Sequence, residues 1–101
     1  MAIKKRSEII REIEDHIHKN GGEFDEWYVG MTENPKVRLF RQHKLREKGD
    51  GWICRRTYDG GQAFEVVEYF RTVRQLTSMK ATQSEDAVYV YAYRMKEHTS
   101  P

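Results

Sequence analysis

Cysteine is almost absent from this chain, and the one residue present, Cys54, excludes an intramolecular disulfide. A cysteine-based zinc cluster is left nearly without ligands. The chain therefore suits a reducing compartment, and a cytoplasmic location is expected. Long apolar runs are missing too: none approaches the roughly 20 residues that span a bilayer, so a membrane span and a membrane partner are not expected. Met1-Ala2-Ile3-Lys4-Lys5-Arg6 leads straight into charged sequence, and no secretory leader is expected. Repeats and low-complexity stretches are also lacking. Net charge is small, +2.

Aromatic residues, by contrast, reach 12%, more than disordered chains carry, and 38% of residues are hydrophobic. One small folded domain over residues 1–101, with a thin core, is the expectation. Charge is unevenly spread. Residues 36–56 carry eight cations against Glu47 and Asp50, a local +6, which leaves −4 for the remainder. Such a segment suits an anion, of which phosphate is the common case; the plainer reading is a solvated helix face.

The order of elements is legible from period and punctuation. Ile9, Ile10, Ile13 and Ile17 predict a helix over residues 7–20, with Ser7 as N-cap and Gly21-Gly22 as its end. Its histidines, His16 and His18, read as surface residues and not as metal ligands. Glu26–Gly30 reads as a short strand. Asn34 before Pro35 is a helix start, and the helix is expected to reach about Lys48 with Gly49 as its stop. Trp52–Tyr58 reads as a strand. Residues 62–76 are favoured as a helix through Ala63, Val66, Val67, Phe70 and Val73, the rival being a hairpin strand over Phe64–Phe70. Residues 77–86 read as a loop and Val88–Tyr93 as a strand. The tail is expected to fray, so that losing Glu97–Pro101 should be nearly silent. The expected fold is α+β: a small three-stranded sheet flanked by helices, with an extra N-terminal helix and a C-terminal strand completing the sheet.

Chemistry gathers at Trp27-Tyr28-Val29-Gly30-Met31-Thr32-Glu33-Asn34-Pro35-Lys36-Val37-Arg38. A strand that ends in glycine allows close backbone approach to a phosphate. The following helix offers N–H groups and Arg38 and Arg41 one turn apart, and guanidinium matches phosphoryl oxygens in bidentate fashion. This stretch resembles the second half of the GIY-YIG nuclease signature. Tyr28-Val29-Gly30 stands at its Tyr-Ile-Gly, and Arg38 follows Tyr28 by ten residues on the next helix.

The resemblance covers roughly residues 26–93 and implies a Mg²⁺- or Mn²⁺-dependent endonuclease. In it Tyr28 orients or deprotonates water, Arg38 stabilises the transition state, and a helical glutamate holds the metal. Glu68 is the candidate and Glu65 its competitor. Family members often carry a histidine four residues after the arginine; here His43 follows by five. The family's opening Gly-Ile-Tyr strand is absent ahead of Tyr28, and Ala87–Tyr91 would replace it by permutation, contributing Tyr89 or Tyr91; Tyr89 is taken first. Lys36, Arg41, Lys44, Arg55 and Arg56 are the expected nucleic-acid contacts, DNA in preference to RNA, with a homodimer or partner protein supplying specificity. The rival readings are a non-catalytic nucleic-acid-binding or scaffold module that keeps the fold, and a docking domain that presents Ile9, Ile13 and Ile17 to a partner.

Overall fold

Three strands alternate side chains between two faces, and that alternation organises the domain. In the computed structural model, which describes residues 2–78 and 84–101, the elements run α1 (Arg6–Asn20), β1 (Trp27–Thr32), a π-wound turn over Val37–Gln42, β2 (Ile53–Arg56), α2 (Gly60–Thr72) and β3 (Tyr89–Arg94). The last strand lies in the middle of the sheet, in the order β1-β3-β2, antiparallel to both neighbours. Register sets Tyr28 opposite Tyr93, Gly30 opposite Tyr91, Thr32 opposite Tyr89, and Cys54 opposite Tyr91. The C-terminal strand thus completes the sheet beside Tyr-Val-Gly, as its alternating sequence indicates.

Residues of one parity, Trp27, Val29, Ile53, Val90 and Ala92, face the two long helices. α1 brings Ile9, Ile13 and Ile17 to this core, and α2 brings Ala63, Val66, Val67 and Phe70. Each aliphatic side chain so buried contributes roughly 1.5–3 kcal/mol. This removes the docking reading of the isoleucine stripe, because all three residues are buried inside the domain. Residues of the other parity, Tyr28, Cys54, Tyr91 and Tyr93, form a second cluster with Leu39 and Leu45.

Several boundaries differ from the sequence-based expectation. α1 begins one residue early with Lys5 as N-cap, so Ser7 lies inside the helix. Asn34 does cap the next turn, its Oδ1 accepting from the Val37 N–H at 3.3 Å. The helix that starts there stops at Gln42 instead of Lys48, because Lys44 takes a left-handed conformation at φ 60° and reverses the chain. Gly49 sits in the loop that follows. β2 keeps only Ile53–Arg56 of the expected Trp52–Tyr58. α2 is a helix, opened by Asp59, whose Oδ1 accepts from the Gln62 N–H at 2.8 Å. Of the expected 77–86 loop, residues 79–83 lie outside the described residues, while Thr77 bridges to Tyr28 at the outer edge of β1. The tail is tied down: the Met95 N–H donates to Glu26 O at 2.8 Å and the Ser100 N–H to His43 O at 2.8 Å. Among the described residues no helix is long and apolar enough to cross a membrane.

Candidate functional site

On the second face, segments distant in the chain meet. β1 supplies Tyr28, β3 supplies Tyr91 and Tyr93, and the turn after Pro35 supplies Arg38 and His43. Tyr28 and His43 rings lie 4.8 Å apart, Tyr28 and Tyr93 5.3 Å, and Tyr28 and Tyr91 6.2 Å. His43 Nε2 is hydrogen-bonded to the Tyr91 hydroxyl at 2.7 Å. Its Nδ1 lies 2.6 Å from Ser100 O and 3.0 Å from the Tyr93 hydroxyl. Tyr28, His43, Tyr91 and Tyr93 are all buried, and Arg38 is half-buried at their edge. Gly30 is required here: a Cβ on it would overlap the Tyr91 hydroxyl.

The winding of the turn places the histidine. The His43 N–H bonds to Arg38 O at 2.9 Å, a five-residue step where an α-helix would make four. The wider turn carries His43 one residue further along the chain and still sets it a single turn from Arg38.

Burial governs the electrostatics. It holds the Tyr91 and Tyr93 phenols far above their ordinary range, with Tyr28 acting in the same sense on both. Arg38 opposes the rise at Tyr91. His43 is held below its ordinary value, first by burial and also by the Arg38 charge, although the Ser100 carbonyl pulls the other way. His43, Tyr91 and Tyr93 are thus neutral hydrogen-bonding groups beside one cation. No carboxylate pairs with Arg38 among the described residues. Cys54 lies under the same face, with its thiol pushed up to about 11 by burial, and is no nucleophile at neutral pH.

Tyr28, Arg38 and His43 therefore come together. Tyr89 does not share the hydrogen bonds: it lies at the cluster's margin under the Arg56 guanidinium, 5.8 Å from the ring centre. Tyr91 takes the position expected of Tyr89, and Tyr93 joins it. Both follow from the two-residue period of β3 once its register is known. Glu68 stands on α2, on the far side of the sheet from the cluster, where its carboxylate accepts from Arg71 at 2.6 and 3.1 Å. Glu65 is paired with Arg6. Among the described residues no group of three or more His, Cys, Asp or Glu gathers to hold a metal. His16 contacts Gly51 O at 3.0 Å and the edge of Trp27.

The expected nucleic-acid contacts divide. Lys36, Arg41 and Lys44 are exposed. Arg55 is bound to Glu12 at 2.5 Å and to Cys54 O at 2.8 Å, and Arg56 stacks on Tyr89. Asp50, which the sequence offers only as a turn residue, is a buried anchor. It accepts from the Arg46 N–H at 2.6 Å and pairs with His98 at 2.7 Å and Lys96 at 3.3 Å. Comparison with protein-family models, with curated proteins and with solved structures returned no match to this chain.

Proposed function

We propose that the domain is a small, permuted relative of GIY-YIG nucleases that hydrolyses phosphodiester bonds of nucleic acid with Mg²⁺ or Mn²⁺. The observation that supports this most is the convergence of Tyr28, Tyr91, His43 and Arg38 on one sheet face from three separate segments. The antiparallel pairing of β3 with β1 supplies the second tyrosine that the missing Gly-Ile-Tyr strand would have carried. The π-wound turn accounts for a histidine five residues after the arginine instead of four.

In this reading Arg38 binds a non-bridging phosphoryl oxygen, and its hold strengthens as charge develops. Tyr28 orients the attacking water, while Tyr91 and His43 fix the hydroxyl positions around it. Glu68, the metal ligand that the resemblance implies, stands on α2 across the sheet from this cluster and is paired with Arg71, so it does not fit a metal acting on the phosphate that Arg38 would bind. A Mg²⁺ carried on the substrate's own phosphate oxygens would supply charge stabilisation at the leaving oxygen. Lys36, Arg41 and Lys44 extend the phosphate path along the turn, DNA in preference to RNA.

A second reading has its own observation. Glu68 rises from the helix across the sheet, and Tyr28 and His43 are 2% and 3% exposed. A nucleic-acid-binding or scaffold module that retains the fold would look the same. Arg38→Ala separates the two readings. Loss of Mg²⁺-dependent cleavage with fold and DNA binding intact supports the nuclease. Cleavage lost in Glu68→Ala or Glu65→Ala instead would move the metal and the reaction to α2, away from the tyrosine face. Binding without cleavage by the unaltered chain, on single-stranded, duplex and branched DNA, leaves the binding module.

A further inference from the structure

The chain beyond β3 folds back onto the tyrosine face. The Lys96 N–H donates to Thr99 Oγ1 at 2.9 Å and the Thr99 N–H to Lys96 O at 3.1 Å, closing a tight turn. Lys96 Nζ and His98 fasten that turn to buried Asp50, and Lys96 Nζ also donates to Gly49 O at 2.7 Å. The turn ends with the Ser100 carbonyl 2.6 Å from His43 Nδ1.

A carbonyl oxygen can only accept. At that distance His43 Nδ1 must carry a proton, since two lone pairs would face each other otherwise. His43 is held below its ordinary pKa by its burial and by Arg38, so the ring has one proton to place. With that proton on Nδ1, Nε2 is an acceptor, and the Tyr91 hydroxyl 2.7 Å away must be its donor. The Tyr93 hydroxyl, 3.0 Å from Nδ1, lies on the protonated side.

We propose that the turn Lys96–Ser100 is a positioning element of the site: the Ser100 carbonyl holds His43 in its Nδ1–H tautomer, which directs the Tyr91 O–H to Nε2. The Tyr91 oxygen then keeps its lone pairs for the side on which Arg38 lies. The effect on rate rests on the hydrolytic reading above; the tautomer does not. The residue acting is the backbone of Ser100, so the side chain is dispensable, and the expectation that residues 97–101 can be lost in silence is overturned by these contacts.

Nitrogen NMR of the histidine rings tests this. In the full chain, His43 should show a protonated Nδ1 and an unprotonated Nε2. A chain ending at His98, which lacks the carbonyl but keeps both anchors on Asp50, should show a mixed tautomer. Its kcat should fall about a hundredfold at nearly constant KM, the effect of a misplaced catalytic hydrogen bond. Ser100→Ala keeps the carbonyl and should match the full chain in both measurements. If the shortened chain does not fold, Lys96→Ala with His98→Ala loosens the turn without removing any backbone and should give the same mixed ring. An unprotonated Nδ1 in the full chain, or unchanged His43 nitrogens in the loosened chains, overturns the proposal. A full chain that cleaves nothing, yet loses its Nδ1–H form on shortening, removes the nuclease and leaves the positioning turn standing.

Discussion

The two faces of the sheet are built on the same three strands and are buried to the same degree, yet they hold different chemistry. The face under α1 and α2 is aliphatic and aromatic carbon: Ile9, Ile13, Ile17, Val29, Val66, Val67 and Phe70 pack with no hydroxyl among them. The opposite face holds three tyrosines and a histidine, the histidine hydrogen-bonded to Tyr91 and Tyr93 and in ring contact with Tyr28, and it is covered by a turn, a loop and the tail. A core needs only shape and volume, so the first face is all that folding requires. Burying hydroxyls and an imidazole costs free energy unless each finds a partner, and aliphatic residues of similar size would avoid that cost. The second face keeps polar groups that folding alone would not select. That asymmetry, more than any single residue, is the reason the proposed site is placed on this side.

The contrast breaks most visibly at Phe70. Its ring is fully buried between α2 and the sheet, and Phe70→Ala removes apolar contact and leaves a cavity. The loss should be about 3–5 kcal/mol, a large share of the roughly 5–15 kcal/mol that holds such a domain together. A urea titration reads it as a lower midpoint at unchanged slope. A loss below about 1 kcal/mol would mean that the helical face is loosely packed and that the comparison with the tyrosine face fails.

Asp50 sharpens the comparison from the polar side. Burial alone would raise its carboxyl, but the Arg46 N–H, His98 and Lys96 together bring it down to about 2 from 3.8. A carboxyl depressed in the folded state stabilises the fold fully above its unfolded pKa and loses that contribution as pH falls through the folded value. The expected contribution is about 2 kcal/mol, present at neutral pH and lost between roughly pH 4 and pH 2. Asp50→Asn should therefore weaken the domain at pH 7, and the gap to the unaltered chain should close near pH 2. A gap that stays constant across this range would assign the effect to packing instead of charge.

The two faces were also unequally legible. Spacing of 3, 4 and 7 announces both long helices, and the Val-Tyr alternation announces β3, because these patterns arise from the local geometry of one element. The pairing of β3 with β1 was legible too, since a bulky, β-prone strand needs a neighbour. The polar face was read only in part. Tyr28, Arg38 and His43 lie within sixteen residues and carry a motif. The choice among Tyr89, Tyr91 and Tyr93 depends on register, which a flat run of alternating residues does not specify. The early end of the helix at Gln42 turns on a left-handed Lys44, for which the residue type gives no signal. Contacts from Ser100 to His43 and from His98 to Asp50 bridge about fifty residues, and no local pattern encodes them.

The smallest effects concern the cations, and they test whether the polar face looks outward to phosphate. Lys36, Arg41 and Lys44 are exposed and form no ion pair among the described residues. Arg55 is held by Glu12, whose own carboxyl is lowered first by that bond and then by Lys4. Removing a free cation should leave the unfolding midpoint within about 0.5 kcal/mol. It should lower the slope of log affinity against log salt on duplex DNA by about one unit, whatever the sequence. Arg55→Ala should do the reverse: little change in the salt slope, and a stability loss of at most about 1 kcal/mol from a partly exposed pair. Parallel salt titrations and urea melts of Arg41→Ala, Lys44→Ala and Arg55→Ala read both quantities. If Arg55→Ala takes the larger share of the slope, the phosphate path crosses the edge of β2, the Glu12 pair opens on binding, and the turn carrying Arg38 is not where nucleic acid lies.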